Sequence, residues 1–92
     1  MRLKICKSEP YYYISLEGNG ETIFRNIWDD GCVAEYLNLS YVEYREIVER
    51  HGGHLELIDI WNQNDLIFLN EADAARTIAD LEPYLIMRKL TE

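Results

Sequence analysis

Basic side chains are scarce in this 92-residue chain: nine Lys and Arg stand against seventeen Asp and Glu, a net charge of −8. Not one Lys or Arg occurs between His51 and Arg76. A surface so short of cations does not suit a general nucleic-acid binder, which must neutralise phosphates. Cysteine is nearly absent as well, with only Cys6 and Cys32. There is no C-x-x-C, no H-E-x-x-H and no glycine-rich loop after a strand, so the spacings that signal metal, redox or phosphate chemistry are missing. No apolar run approaches membrane-spanning length. Met1-Arg2-Leu3-Lys4 leads into an alternating pattern rather than a long apolar stretch, so no secretory signal is expected and the thiols are expected to be reduced in a cytoplasmic protein.

What remains is an ordinary globular chain. About half the residues are apolar (48%), too many for a disordered segment. The length fits one small domain, residues 1–92, which buries only roughly 60–65% of its unfolded surface. Association with a partner or a second copy would add to its stability.

The stretch His54–Asn70, HLELIDIWNQNDLIFLN, reads as the element around which the rest is arranged. Apolar arms Leu55–Trp61 and Leu66–Leu69 flank the polar cluster Asn62-Gln63-Asn64-Asp65, a hairpin signal. Neither arm alternates cleanly, which implies strands covered on both faces at the centre of a sheet. Before it, Arg2–Cys6 alternates as a half-buried strand, Tyr11–Glu17 is rich in β-formers, and Thr22–Trp28 is the expected return strand after Gly18-Asn19-Gly20. Asp29-Asp30-Gly31 is expected to stop the sheet and start a short helix, Cys32–Leu37, with Asn38 in the left-handed position at its end.

Ser40-Tyr41-Val42-Glu43 is a capping box ahead of an apolar-periodic run. The second helix is expected from Tyr41 to about His51, with Tyr41, Tyr44, Val48 and His51 inward and Gly52-Gly53 ending it. Asn70-Glu71-Ala72-Asp73 opens a third helix to about Glu82, burying Ala74, Ile78 and Leu81, with Ala75 and Ala79 alongside. Pro83 disfavours helical geometry at Glu82. Tyr84–Leu90 then reads as a last strand, or as a further helix with Pro83 in its first turn. The order β-β-β-α-α-β-β-α-β predicts an α+β fold, a mainly antiparallel sheet with about three helices packed on it.

Cys32–Ser40 followed by Tyr41–Arg50 resembles the two-helix unit of excisionase-like and winged DNA-binding domains: an alanine in the first helix, a Leu-Asn-Leu-Ser turn, and a hairpin downstream in the place of a wing. The resemblance implies a helix-turn-helix regulator whose second helix enters the major groove, with Arg45 and Arg50 as its DNA-binding residues. Glu43, Glu46 and Glu49 on the same surface would repel phosphate and bring acceptors where most base contacts want donors. A helical corner used for packing is the plainer reading.

The acids themselves crowd the middle of the chain, while Arg2, Lys4, Lys7, Arg88 and Lys89 gather at its ends. A rigid array of carboxylates can stand in for a phosphate backbone and dock on a basic protein surface, steered by charge. In size and charge the chain resembles small acidic anti-CRISPR and other anti-defence proteins of phages and mobile elements. The expected partner-binding residues are Glu43, Glu46, Glu49, Glu56, Asp59 and Asp65, with Tyr12 and Trp61 as aromatic anchors. No catalytic residues, cofactor or metal are expected: His51 and His54 lie near Glu56 and Asp59 without ligand spacing, and no base accompanies Cys6 or Cys32. A homodimeric interaction domain is the remaining alternative.

Overall fold

A computed structural model of the chain describes residues 1–57 and 64–91. Five strands, β1 (Arg2–Ser8), β2 (Tyr11–Gly18), β3 (Glu21–Arg25), β4 (His54–Leu57) and β5 (Asn64–Ile67), combine with three helices, α1 (Asn26–Tyr36), α2 (Tyr41–Arg50) and α3 (Glu71–Thr91). The sheets are antiparallel and the class is α+β, with the expected order of elements as far as α3.

β2, not the hairpin, is the strand around which the fold closes. β1 pairs along its whole length on one side, and β3 pairs with its C-terminal half on the other. The same side of β2 is completed near its start by Phe68, just past β5: Tyr12 N–H donates to the Phe68 carbonyl at 2.9 Å and Phe68 N–H to the Tyr12 carbonyl at 2.8 Å. This one backbone bridge ties the β4–β5 hairpin to the main sheet. Tyr13 through Glu17 are all buried, so both faces of β2 are covered. β5 shares that property, since Leu66, Ile67 and Phe68 are fully buried on alternating faces.

Register sorts the side chains. Leu3 lies opposite Leu16 and Ile5 opposite Ile14, on the face that enters the core; Arg2 lies opposite Glu17 and Lys4 opposite Ser15, on the other. Val33, Ala34 and Leu37 of α1, Tyr44, Ile47 and Val48 of α2, and Ala74, Leu81 and Leu85 of α3 complete one core cluster. α1 packs on β2, β3 and β5; α3 packs on β1 and β2; α2 packs on α1 and α3.

Three expectations are corrected. α1 begins at Asn26, inside the stretch expected as strand, and Asp29-Asp30-Gly31 is helical rather than a stop. β-propensity measures fit to a half-buried sheet rather than an intrinsic backbone preference, and the burial of Val33, Ala34 and Leu37 against the sheet outweighs it. The closing strand over Tyr84–Leu90 is instead the second half of α3, which runs through Pro83. Proline in a helix interior forfeits the bond to the carbonyl four residues back, here Ala79, at a cost of about 3 kcal/mol. Pro83 and Ala79 both lie on the exposed side, where water can take the missing donor's place. Leu81 and Leu85, fully buried on either side of the proline, hold the helix to the core. Ala75 and Ala79, expected beside the buried stripe, are exposed.

Candidate functional site

α2 carries the acids that the sequence singles out, and its register is fixed at both ends. The Ser40 hydroxyl accepts from the Glu43 N–H at 3.1 Å, and the Glu43 carboxylate accepts from the Ser40 N–H at 3.2 Å, closing the capping box. At the other end the Gly52 N–H donates to the Glu49 carbonyl at 3.1 Å and the Gly53 N–H to the Val48 carbonyl at 3.0 Å. That pairing needs a left-handed residue, supplied by Gly52 at φ +92°. With both ends set, Tyr44, Ile47 and Val48 turn inward, while Val42, Glu43, Glu46 and Glu49 are exposed; Tyr41, expected inward, is exposed as well, because it stands in the first turn.

Glu43, Glu46 and Glu49 follow one another at intervals of three residues, which places successive Cβ atoms about 5–6 Å apart on the helix surface. They form a ridge with Val42, 64% exposed, beside it. Part of its charge is engaged. Arg45 Nε donates to Glu49 Oε1 at 2.6 Å, and Glu43 shares its carboxylate with the cap. Beyond the ridge, His51 Nε2 and Asp80 Oδ2 are 2.6 Å apart and Arg50 lies 3.6 Å from the same oxygen, tying α2 to α3. The hydrogen bond with His51, helped by the charges of His51 and Arg50, holds the Asp80 carboxyl below its ordinary range.

Among the described residues, the other expected contact residues do not join this ridge. Asp65 is buried at 4% exposure, because β5 is covered on both faces, so it cannot form part of an open acidic surface. Glu56 is half-buried opposite it in register, with Oε2 3.1 Å from His54 Nε2. Tyr12 is half-buried and serves as the joint between β2 and Phe68, with Lys7 Nζ 5.5 Å from its ring centre. Asp59 and Trp61 lie outside the described residues. Among the described residues, the expected platform contracts to the outer face of α2.

The helix-turn-helix outline is present as backbone: α1, a turn with Asn38 at φ +59°, and α2. Both arginines that would read DNA are bound to carboxylates, Arg45 to Glu49 and Arg50 to Asp80.

Sequence reasoning missed two charge clusters formed by distant residues. Arg2 and Lys4 of β1 both pair with the buried carboxylate of Glu17 on β2. The hydrogen bond from Arg2, with the charges of Arg2 and Lys4, lowers the Glu17 pKa against the opposing effect of burial. The second is the His51–Asp80–Arg50 group. Neither has a local signal; only strand register and helix docking bring the partners together. A hollow of about 260 Å³ is lined by Cys32, Glu35, Tyr36 and Arg88, whose guanidinium sits 4.7 Å from the Tyr36 ring centre.

Both cysteines are free thiols. Among the described residues no group of three or more His, Cys, Asp or Glu converges to hold a metal ion, and no helix is long and apolar enough to cross a membrane. Comparison with protein-family models, with curated proteins and with solved structures returns no match, so a functional reading rests on the geometry above.

Proposed function

We propose that this is a non-enzymatic, cytoplasmic binding protein that docks the outer face of α2 on a basic protein surface and blocks it as a nucleic-acid mimic, an inhibitor of the anti-defence type. The observation that carries the reading is the exposed ridge Glu43–Glu46–Glu49 on a chain of net charge −8. Three residues of helix rise about 4.5 Å, against roughly 3.4 Å per phosphate along one DNA strand, so the ridge approaches the charge spacing that a phosphate-binding groove is built to meet. Val42 adds an apolar contact beside the acids. Charge of this kind speeds encounter and selects a basic partner more than it adds affinity, and it weakens as salt rises.

The test is charge reversal with competition. Wild-type protein and the Glu46→Lys/Glu49→Lys variant are used as bait in native lysate at low salt, and duplex DNA is then added. The expected result is a basic protein retained by the wild type, released by DNA, and lost from the variant. Retention unchanged by the reversal, or indifferent to DNA, removes the reading.

The helix-turn-helix backbone supports a second reading, a small DNA-binding regulator using Arg45 and Arg50. A gel-shift titration separates the two. The mimic retains no DNA at micromolar protein, whereas the regulator does and loses it on Arg45→Ala.

A further inference from the structure

The sheets end in outer strands, and only one of these has a long regular edge. β1 pairs with β2 at every position from Arg2 to Ser8, and among the described residues nothing pairs with its other side. β3 is five residues long and its register with β2 slips between Leu16 and Glu17, while β4, at the border of the hairpin, has four residues. Shortness, irregular pairing, proline and charge are the devices that keep exposed strand edges from recruiting other chains. β1 has no proline and no slip, so its edge depends on charge alone.

That charge is of one sign. β1 carries Arg2, Lys4 and Lys7 and no acid, and among the described strands and helices it alone has more cations than anions. Arg2 and Lys4 share one carboxylate, Glu17, with Lys4 Nζ 3.7 Å from it, and Lys7 Nζ lies 2.8 Å from Glu9 Oε1. Two carboxylates against three cations leave the strip positive, and each cationic side chain is more than half exposed. The strand also alternates. Arg2 and Lys4 stand on the outer face, Leu3 and Ile5 on the core face, where Ile5 is only half-buried. A strand laid beside β1 places its own alternate side chains on these same two faces. Acids on one face meet Arg2 and Lys4, and apolar residues on the other extend the cover over Ile5. A neutral or basic strand, a second β1 included, instead desolvates cations without a counter-charge. The chain as a whole is acidic, but an added strand lies about 4.8 Å from β1, inside a Debye length of about 8 Å, so the cations of β1 are the charges closest to it.

We infer that the free edge of β1 is a strand-addition site, which takes an extended segment of a partner protein alternating acidic and apolar residues. This goes beyond the reading of α2 and does not depend on it.

The probe is a capped peptide as long as β1 that alternates glutamate and valine, titrated into the isotope-labelled full chain and followed by amide NMR. Two controls are the lysine–valine peptide and the glutamate–valine peptide with alternate amides N-methylated, which keeps the charge and removes the donors a new strand needs. Shifts and slowed hydrogen exchange are expected along Arg2–Ser8 with the acidic peptide, and neither control should produce them. Lys4→Glu should weaken the acidic peptide about tenfold, since an attractive cross-strand pair becomes a repulsive one. Lys4 is exposed, so circular dichroism of the variant should match the wild type, and the two control peptides test the inference on the wild-type chain whatever the variant does. No shift up to ~1 mM peptide, where only negligible affinity remains, overturns the inference. So do shifts centred away from β1, equal binding of either control, or an affinity indifferent to Lys4→Glu.

Discussion

α2 and α3 lie side by side, each docked by fully buried residues, yet their outer faces are opposite in kind. α2 shows water a ridge of glutamates with Val42; α3 shows it alanines, a proline, Ile86 and Leu90, with the exposed Arg76 among them. A soluble helix normally pairs one apolar stripe with one polar face. α2 obeys that rule, while α3 adds to its buried stripe a row of exposed apolar residues broken by Arg76. The difference shows that helix propensity and capping decide where a helix forms and leave its outer face free to vary. On the function proposed above, the outer face of α2 meets a charged partner approached through water.

The comparison breaks first if inner and outer apolar positions of α3 are equivalent. Leu81→Ala or Leu85→Ala should cost roughly 2–5 kcal/mol in urea titration, since each empties a fully buried site. Leu90→Ala in dilute protein should stay within about 0.5 kcal/mol. A comparable loss at Leu90 would mean that its face is already covered within one chain.

Next in size is the proline that lies between the two halves of α3. Pro83→Ala restores the donor for the Ala79 carbonyl and should stabilise the fold by up to about 3 kcal/mol. Destabilisation by that change would show that the proline ring itself is packed. The caps should then behave alike in the two helices. In α3 the Asn70 side chain accepts from the Asp73 N–H at 2.9 Å, as Ser40 accepts from Glu43 in α2. Ser40→Ala and Asn70→Ala should each cost about 1 kcal/mol by thermal melt. A much smaller loss at one of them would mean that tertiary packing alone sets that helix start.

The smallest effect concerns the ionic ties. The Glu17 and Asp80 carboxyls are both held below their ordinary values, 4.5 and 3.8. The ionised form is then the one favoured by folding, so its contribution is present above those values and lost as pH falls through the folded pKa. Glu17→Gln should be less stable than wild type near neutral pH, and the gap should close in acid. A gap that is constant from neutral pH to acid would mean that the Arg2 and Lys4 pairing adds nothing specific.

Much of this was legible in the chain because its signals are local. The Ser40–Glu43 box, Asn38 in the left-handed region, the Gly52-Gly53 stop and the Asn70 cap all depend on neighbours within a turn. Alternation along Arg2–Cys6 correctly separated Leu3 and Ile5 from Arg2, Lys4 and Cys6. The misses are non-local. Trp28 was expected in a strand because Phe, Ile and Trp favour sheets, and only docking of Val33 and Leu37 makes that stretch helical. Pro83 reads as a stop because its cost is local, whereas the burial of Leu81 and Leu85 that outweighs it is not. With the helix ended there, the 3.6-residue recurrence from Ala72 to Leu90 could not be seen. Asp65 was expected on the acidic surface because a charged residue in a turn is usually wet, and nothing in the sequence reveals that β5 is enclosed.

The central claim is that the outer face of α2 meets a basic partner through its charge, and one measurement tests it most directly. Wild type and Glu46→Lys/Glu49→Lys are compared as bait in native lysate at low and at high salt. The account predicts a basic protein retained by the wild type at low salt, released at high salt and lost from the variant. Retention that survives the reversal, or that is indifferent to salt, would contradict it.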